Sequence, residues 1–144
     1  MSVQRMDHVG VVVEDFDTAR AFFVALGLEV SDEWTTENEL ADRVIGLRGA
    51  RSRCAFLTTP DGHGKLELIA FERPADGGAS RPDPSHAPGL RHLCFAVDDV
   101  RATVERLAAH GGELVGDLVD YEGTYLLCYL RGPSGVIVEL AERL

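Results

Sequence analysis

Two stretches of the sequence decide the fold: HVGVVVED at residues 8–15 and HLCFAVDD at residues 92–99. They begin 84 residues apart, and each contains a histidine, an apolar run and an acidic pair in the same order. The same register continues without a gap, and it aligns Ala25 with Ala109, Gly27 with Gly111 and Glu29 with Glu113. A series of matches this long is hard to obtain by chance, so the chain is predicted to contain an internal repeat.

Each repeat predicts a strand followed by a helix. The β-branched run at residues 9–13 is too short for a helix and rich in strand formers. Asp15 and Asp99 are the predicted N-caps of the two helices, and Gly27 and Gly111 are the predicted left-handed ends. The predicted apolar stripes are Phe16, Ala19, Phe23 and Leu26 in the first helix and Val100, Val104 and Leu107 in the second.

Further strand signals follow both helices. Apolar restarts occur at residues 28–30 and 114–115, and later strands are predicted at residues 54–58, 65–71, 124–130 and 136–141. Residues 31–47 carry no pattern that assigns them to an element. The fold class is therefore predicted to be α+β, with two pseudo-symmetric βαβββ modules that each place a helix against one face of a mainly antiparallel sheet.

The chain is interpreted as a single domain of residues 1–144. Residues 1–72 form the first module, residues 73–88 a linker rich in proline and glycine, and residues 89–144 the second module. A module of about 70 residues buries too little surface to be comfortably stable alone, which favours one domain built from both.

Composition excludes several classes of function. The net charge of −10 disfavours binding to nucleic acid or to anionic lipid, both of which require clustered cations. The apolar runs are far shorter than the ~20 residues that span a bilayer, and the N-terminus lacks the pattern of a signal peptide. The expected location is cytoplasmic. The densest arginine group could meet an anionic substrate, but a solvated face is the favoured interpretation: Arg43, Arg48, Arg51 and Arg53.

The three cysteines are an odd number without CxxC spacing. Cys54, Cys94 and Cys128 all lie in apolar, strand-like surroundings, and we expect them to be buried and reduced. None is predicted to act as a nucleophile. No GxGxxG or P-loop motif is present, so no nucleotide cofactor is expected.

Four residues at matched repeat positions are the candidate site. Glu67 and Glu139 each lie between aliphatic residues of a strand that follows a Pro-x-Gly turn, so each carboxylate points to the face opposite its neighbours. His8 and His92 open equivalent strands. Singly, such residues are ordinary hydrogen-bonded histidines and solvent-facing glutamates, but together they form an N2O2 set suited to a divalent metal. His63, His86 and His110 have no matched partners and are interpreted as surface or turn residues.

The same stretches resemble the vicinal-oxygen-chelate superfamily over nearly the whole chain. This superfamily includes glyoxalase I, methylmalonyl-CoA epimerase, fosfomycin-resistance proteins, bleomycin-binding proteins and extradiol dioxygenases. Residues 7–13 with Phe22-Phe23 and residues 26–28 are similar to its first module. Residues 89–99 are similar to its second module, and residues 132–140 to its last strand.

The resemblance implies sheets that curl around one divalent metal ion, commonly in a homodimer with a small-molecule substrate. Carried over by position, His8, Glu67, His92 and Glu139 match the four ligands of glyoxalase I. Zinc, nickel, cobalt, manganese and iron(II) all remain open as the metal. Methylmalonyl-CoA epimerases usually have glutamine at the position of Glu67, and fosfomycin-resistance enzymes and extradiol dioxygenases lack a counterpart of it. Metal-free bleomycin-binding members generally lack the whole set.

The implied activity is that of a glyoxalase-like lyase, isomerase or epimerase, in which the metal stabilises an enolate or enediolate of a carbonyl or thioester substrate. Glu67 or Glu139 would be the catalytic proton shuttle, with a slight preference for Glu67. Two alternatives stay open: a methylmalonyl-CoA epimerase, and a protein that binds an antibiotic or aromatic ligand without turnover. In the latter, stacking surfaces would come from Trp34, Tyr121, Tyr125 and Tyr129.

Overall fold

The computed structural model describes residues 2–75, 77 and 82–144. The chain divides into two compact units, residues 1–79 and residues 80–144. The boundary between the units lies inside the predicted linker, and within that linker residues 76 and 78–81 lie outside the described residues.

The first unit is a four-stranded sheet with two helices. Its elements are β1 (Val9–Val12), α1 (Phe16–Leu26), β2 (Glu29–Thr36), α2 (Glu39–Ile45), β3 (Arg51–Thr58) and β4 (Lys65–Arg73). The strand order is β1-β4-β3-β2. β1 and β4 are parallel, whereas the other two pairs are antiparallel.

The second unit repeats this topology with one added short strand. Its elements are β5 (His92–Ala96), α3 (Val100–Ala108), β6 (Glu113–Leu114), β7 (Val119–Tyr121), β8 (Tyr125–Arg131) and β9 (Ile137–Arg143). The order is β5-β9-β8-β6, and β7 pairs with β8 beside that path. Again only the first pair, β5 with β9, is parallel. The predicted α+β class and paired-module architecture are confirmed, with both sheets mixed.

The registers of the two parallel pairs match. Gly10, two residues after His8, is paired with Glu67, and Cys94, two residues after His92, is paired with Glu139. The repeat seen in the sequence is therefore also a repeat of strand register, and it gives the two histidines equivalent topological positions.

Both long helices begin at the predicted aspartates. The Asp15 carboxylate accepts from the Thr18 backbone N–H at 2.9 Å, and that of Asp99 accepts from the Ala102 N–H at 2.8 Å. Each bond satisfies a backbone donor that the first helical turn leaves free. α1 ends at Gly27, whose φ of 123° suits glycine, and its N–H donates to the carbonyls of Phe23 and Val24.

The second helix differs in two details from the prediction. Its C-cap is Ala109, and Gly111 lies in the following turn with a φ of 83°. Thr103, rather than Val104, is fully buried in the stripe with Val100 and Leu107. A polar residue is tolerated there because the Thr103 hydroxyl donates to the Asp99 carbonyl at 2.7 Å.

Residues 31–47, unassigned from the sequence, form the rest of β2 and the short helix α2. Asn38 caps α2 by accepting from the Ala41 N–H. α2 contains no buried residue, and its aliphatic side chains Leu40, Val44 and Ile45 are exposed rather than packed against the sheet.

In the last strand of each unit, successive side chains alternate between the buried core face and the face that carries the candidate glutamate. In β4, Leu66, Leu68 and Ala70 are buried on the face that packs against α1, while Glu67 is half-buried on the other face. In β9, Glu139 is likewise half-buried between the buried Val138 and Leu140.

The cysteine prediction is partly wrong. Cys54 and Cys128 are buried free thiols, but Cys94 is exposed. Cys94 lies on the same face of β5 as His92, because side chains two residues apart share a face of a strand, and it therefore faces away from the core. Among the described residues, no helix is long and apolar enough to cross a membrane.

Candidate functional site

The first pair of candidate residues lies at the parallel pair β1–β4: His8 directly precedes β1, and Glu67 lies in β4. His8 lies two residues before Gly10, which is the register partner of Glu67. This geometry brings His8 Nε2 to 3.0 Å from Glu67 Oε2. Both side chains are partly exposed, at 34% and 24%, so the pair is accessible from the face opposite α1.

The second unit contains an equivalent pair. His92 lies two residues before Cys94, the register partner of Glu139, and His92 Nε2 is 3.2 Å from Glu139 Oε2. Their side-chain exposures, 37% and 21%, closely resemble those of the first pair. The structure therefore brings the four predicted ligands together as two pairs, one in each unit.

A carboxylate holds the second ring nitrogen of His8. Asp7 Oδ2 lies 2.9 Å from His8 Nδ1, and the same carboxylate contacts Arg5 at 2.8 Å and Lys65 at 3.3 Å. These hydrogen bonds, with that to His8 the largest, hold the pKa of the Asp7 carboxyl well below its usual range. Asp7 is therefore an ionised hydrogen-bond acceptor beside His8.

A phenol occupies the corresponding position beside His92. The Tyr129 hydroxyl lies 3.3 Å from His92 Nδ1, and the two ring centroids are 4.9 Å apart. Tyr129 is also the antiparallel register partner of Glu139. Burial, followed by the charge of Glu139, raises the pKa of the Tyr129 phenol, which keeps the hydroxyl protonated.

Cys94 is a further residue of the second pair. It is the register partner of Glu139, and partial desolvation of the sulfur by its neighbours, followed by the negative charge of Glu139, raises the pKa of its thiol. A raised pKa keeps the sulfur in the less reactive thiol form. The signal that could have revealed it in the sequence is its spacing of two residues from His92.

Aromatic side chains border the first pair. Phe56, the register partner of Glu67, makes an edge contact with His8 at a centroid distance of 5.5 Å. Trp34 packs on Phe56 at 4.8 Å, and the Lys65 ammonium lies 4.7 Å from the Phe56 centroid. Phe56 was not among the predicted site residues, because its place opposite Glu67 depends on the pairing of two separate strands.

The predicted surface residues are placed as expected. His63 and His86 are exposed, and His110 lies in the turn after α3. Arg51 pairs with Glu37 and Glu72, while Arg53 pairs with Asp17 and lies over the Phe16 ring. These ion pairs favour the interpretation of the arginine group as a solvated face.

The donor types of the two pairs suit a divalent metal. Each pair offers one imidazole nitrogen and one carboxylate oxygen on an accessible face, the nitrogen and oxygen ligands that zinc and related ions accept. Within residues 2–75, 77 and 82–144, no group of three or more His, Cys, Asp and Glu side chains is gathered as a metal site. One pair alone therefore supplies half of the predicted ligand set.

Comparison with known proteins identifies the family. Residues 5–140 match the model of the Glyoxalase/Bleomycin resistance protein/Dioxygenase superfamily. A crystal structure of a glyoxalase family protein from Bacillus cereus is 42% identical, with a TM-score of 0.94 over 100% of this chain and 97% of the other.

Two curated relatives cover almost the same length. An ethylmalonyl-CoA/methylmalonyl-CoA epimerase from Cereibacter sphaeroides is 26% identical over 97% of this chain and 98% of the relative. The uncharacterized protein YaeR of Escherichia coli is 27% identical over 99% of both chains. With the family model spanning nearly all of both units, the chain belongs to the Glyoxalase/Bleomycin resistance protein/Dioxygenase superfamily.

Proposed function

We propose that this protein is a divalent-metal-dependent lyase, isomerase or epimerase of glyoxalase type, acting on a small carbonyl or thioester compound. The observation that carries the proposal is the duplicated His-Glu pair, with Nε2–Oε2 distances of 3.0 Å and 3.2 Å at matching register positions. Two structural repeats that retain the same pair on the accessible sheet face are difficult to explain by packing, because the core lies on the opposite face.

In this proposal His8, Glu67, His92 and Glu139 hold one ion. Two ligands come from a first unit and two from a second unit, either of the same chain or of two chains. The N2O2 set accepts zinc, nickel, cobalt, manganese or iron(II), and ligand type alone does not choose among them. When bound, such an ion acts as a Lewis acid that favours negative charge on a substrate oxygen.

Within this site a glutamate carries the proton. A carboxylate that is partly exposed and hydrogen-bonded to a histidine can accept a proton from a bound substrate carbon and return it. The surroundings favour Glu67. Its partner on β1 is Gly10, which has no side chain, whereas Glu139 faces Cys94 on β5. The residue paired with Glu67 therefore adds no side chain beside its carboxylate.

A methylmalonyl-CoA epimerase is the second candidate, and the full-length likeness to the Cereibacter sphaeroides epimerase supports it. A ligand-binding protein without turnover is the third. Tyr121 and Tyr125, which are 59% and 40% exposed, are the aromatic surfaces that such a protein would offer.

Metal analysis joined to a substrate panel tests the proposal. Purified protein should contain about one divalent ion per predicted site, and it should turn over methylglyoxal hemithioacetal or methylmalonyl-CoA. Turnover should disappear with a chelator and return when the metal is restored. Preferential turnover of methylmalonyl-CoA would select the second candidate. Metal-free protein that binds none of the five ions in a titration would refute the proposal, and metal binding without turnover would favour the third candidate.

The proposal extends to a C2 homodimer as the functional unit. Each unit contributes one candidate histidine and one candidate glutamate on a partly exposed face, and open sheet edges and faces are commonly covered by a second subunit. Light scattering at micromolar concentration should give about twice the mass of the 15.7 kDa chain. A mass equal to one chain at that concentration would contradict the dimer.

A further inference from the structure

Both ring nitrogens of each candidate histidine have a polar neighbour. His8 has Asp7 beside Nδ1 at 2.9 Å and Glu67 beside Nε2 at 3.0 Å. His92 has the Tyr129 hydroxyl beside Nδ1 at 3.3 Å and Glu139 beside Nε2 at 3.2 Å. In both units, therefore, Nδ1 is directed to a group outside the predicted ligand set and Nε2 is directed to the glutamate.

We propose that Asp7 and Tyr129 are positioning residues that accept from Nδ1 of His8 and His92 and so present Nε2 of each ring to a metal ion. This inference rests on the proposed function, since it presupposes that the ion binds at the two His-Glu pairs. An imidazole can bind a metal through either nitrogen, and the partner of the other nitrogen selects the tautomer and fixes the ring.

The two repeats meet this requirement with different residues. In the first unit the residue before the histidine is Asp7, an acceptor, and the residue opposite the glutamate is Phe56, which has no hydroxyl. In the second unit the residue before the histidine is Arg91, a cation that pairs with Asp83 and cannot accept a hydrogen bond. There the residue opposite the glutamate is Tyr129, which supplies the oxygen.

The different positions of the acceptor in the two units indicate that Nδ1 of each histidine needs a hydrogen-bond acceptor. The two positions are the residue before the histidine and the residue opposite the glutamate. In each unit one of them holds a hydrogen-bond acceptor for the histidine, and the other holds a residue that cannot accept. If the contacts served packing alone, nothing would link the residue before the histidine to the residue on the neighbouring strand.

The Asp7 contact is the stronger of the two. The distance from His8 Nδ1 to the Asp7 oxygen is shorter than that from His92 Nδ1 to the Tyr129 oxygen. The Asp7 carboxylate is also held by Lys65, which lies on the same strand face as Glu67. An anionic acceptor increases the electron density of the imidazole more than a neutral phenol does. His8 is therefore expected to depend more on Asp7 than His92 depends on Tyr129.

Calorimetric titration of Zn²⁺ into chelator-stripped protein tests the inference. Asp7→Asn should weaken binding by about 10–100-fold, the usual cost of losing a group that orients a metal ligand. Tyr129→Phe should weaken binding by up to about tenfold. The tyrosine change preserves the ring and alters no charge, so a loss of affinity there cannot be a long-range charge effect. Asp17→Asn is the matched control, since it removes one exposed carboxylate that pairs with Arg53.

A second measurement does not depend on any variant. The ¹⁵N spectrum of Zn²⁺-loaded wild-type protein should show His8 and His92 bound through Nε2 with a protonated Nδ1. Binding through Nδ1 at either histidine would overturn the inference, as would two variants that bind as tightly as Asp17→Asn. Wild-type protein that binds no metal would instead refute the proposed function itself, so the two failures are distinguishable.

Discussion

Replacing His8 and His92 together with alanine is expected to abolish specific metal binding. Each change removes the only nitrogen donor of its His-Glu pair, and the remaining glutamates cannot hold a borderline metal as tightly without imidazole. The affinity should fall by more than the roughly 10–100-fold that losing an orienting group costs. The metal content of the purified variant and a titration of the chelator-stripped protein would measure the loss.

The chain offers a matched control for this double change. His63 and His86 are exposed histidines without matched partners in the repeat, and their joint replacement removes the same number of imidazoles. That variant should retain the wild-type affinity. If the variant lacking His8 and His92 also retained the wild-type metal content, the assignment of the site would be wrong.

Changing Glu67 to glutamine should separate metal binding from catalysis. Glutamine retains an oxygen that can bind a metal but cannot accept a proton. If Glu67 is the base, turnover of the substrate found in the panel should fall by about 10²–10⁴-fold. The metal content should change little, and kcat measured on the metal-loaded variant would show the effect.

Two further glutamine variants test whether the loss of turnover is specific to Glu67. Glu72→Gln lies on the same strand as Glu67 but in an exposed ion pair with Arg51, and it should leave kcat unchanged. Glu139→Gln should lower kcat less than Glu67→Gln does. Full activity of Glu67→Gln would assign the proton transfer to Glu139 or to another group.

Most elements that could be predicted are those whose signal comes from residues close together in the sequence. The local signals are the Asp15 and Asp99 caps and the alternation around Glu67 and Glu139. The match of His8 with His92 spans 84 residues, but it is found by comparing the two repeats along the chain. α2 was not predicted because a helix of seven residues is too short for its apolar spacing to distinguish it from a strand or loop. Thr103, rather than the predicted Val104, is buried in the apolar stripe of α3. Its hydroxyl can be buried because it donates a hydrogen bond to the Asp99 carbonyl.

The immediate surroundings of the candidate residues depended on strand pairing. Phe56 and Tyr129 reach the histidines from β3 and β8, and no local pattern specifies which residue of one strand faces which residue of another. The exposure of Cys94 was missed for a related reason: its neighbours are apolar, but its own face of β5 is the one that carries His92.

By itself, the sequence determined the family, the two-module architecture and the four candidate ligands, because hydrophobic alternation, helix caps and an 84-residue repeat are properties of the chain read in order. Only the tertiary structure decided that each histidine lies beside its glutamate and that Asp7 and Tyr129 take the remaining ring nitrogens. The reason is that these contacts arise from the register between strands far apart in the chain, which is set when the buried faces of the sheets pack together.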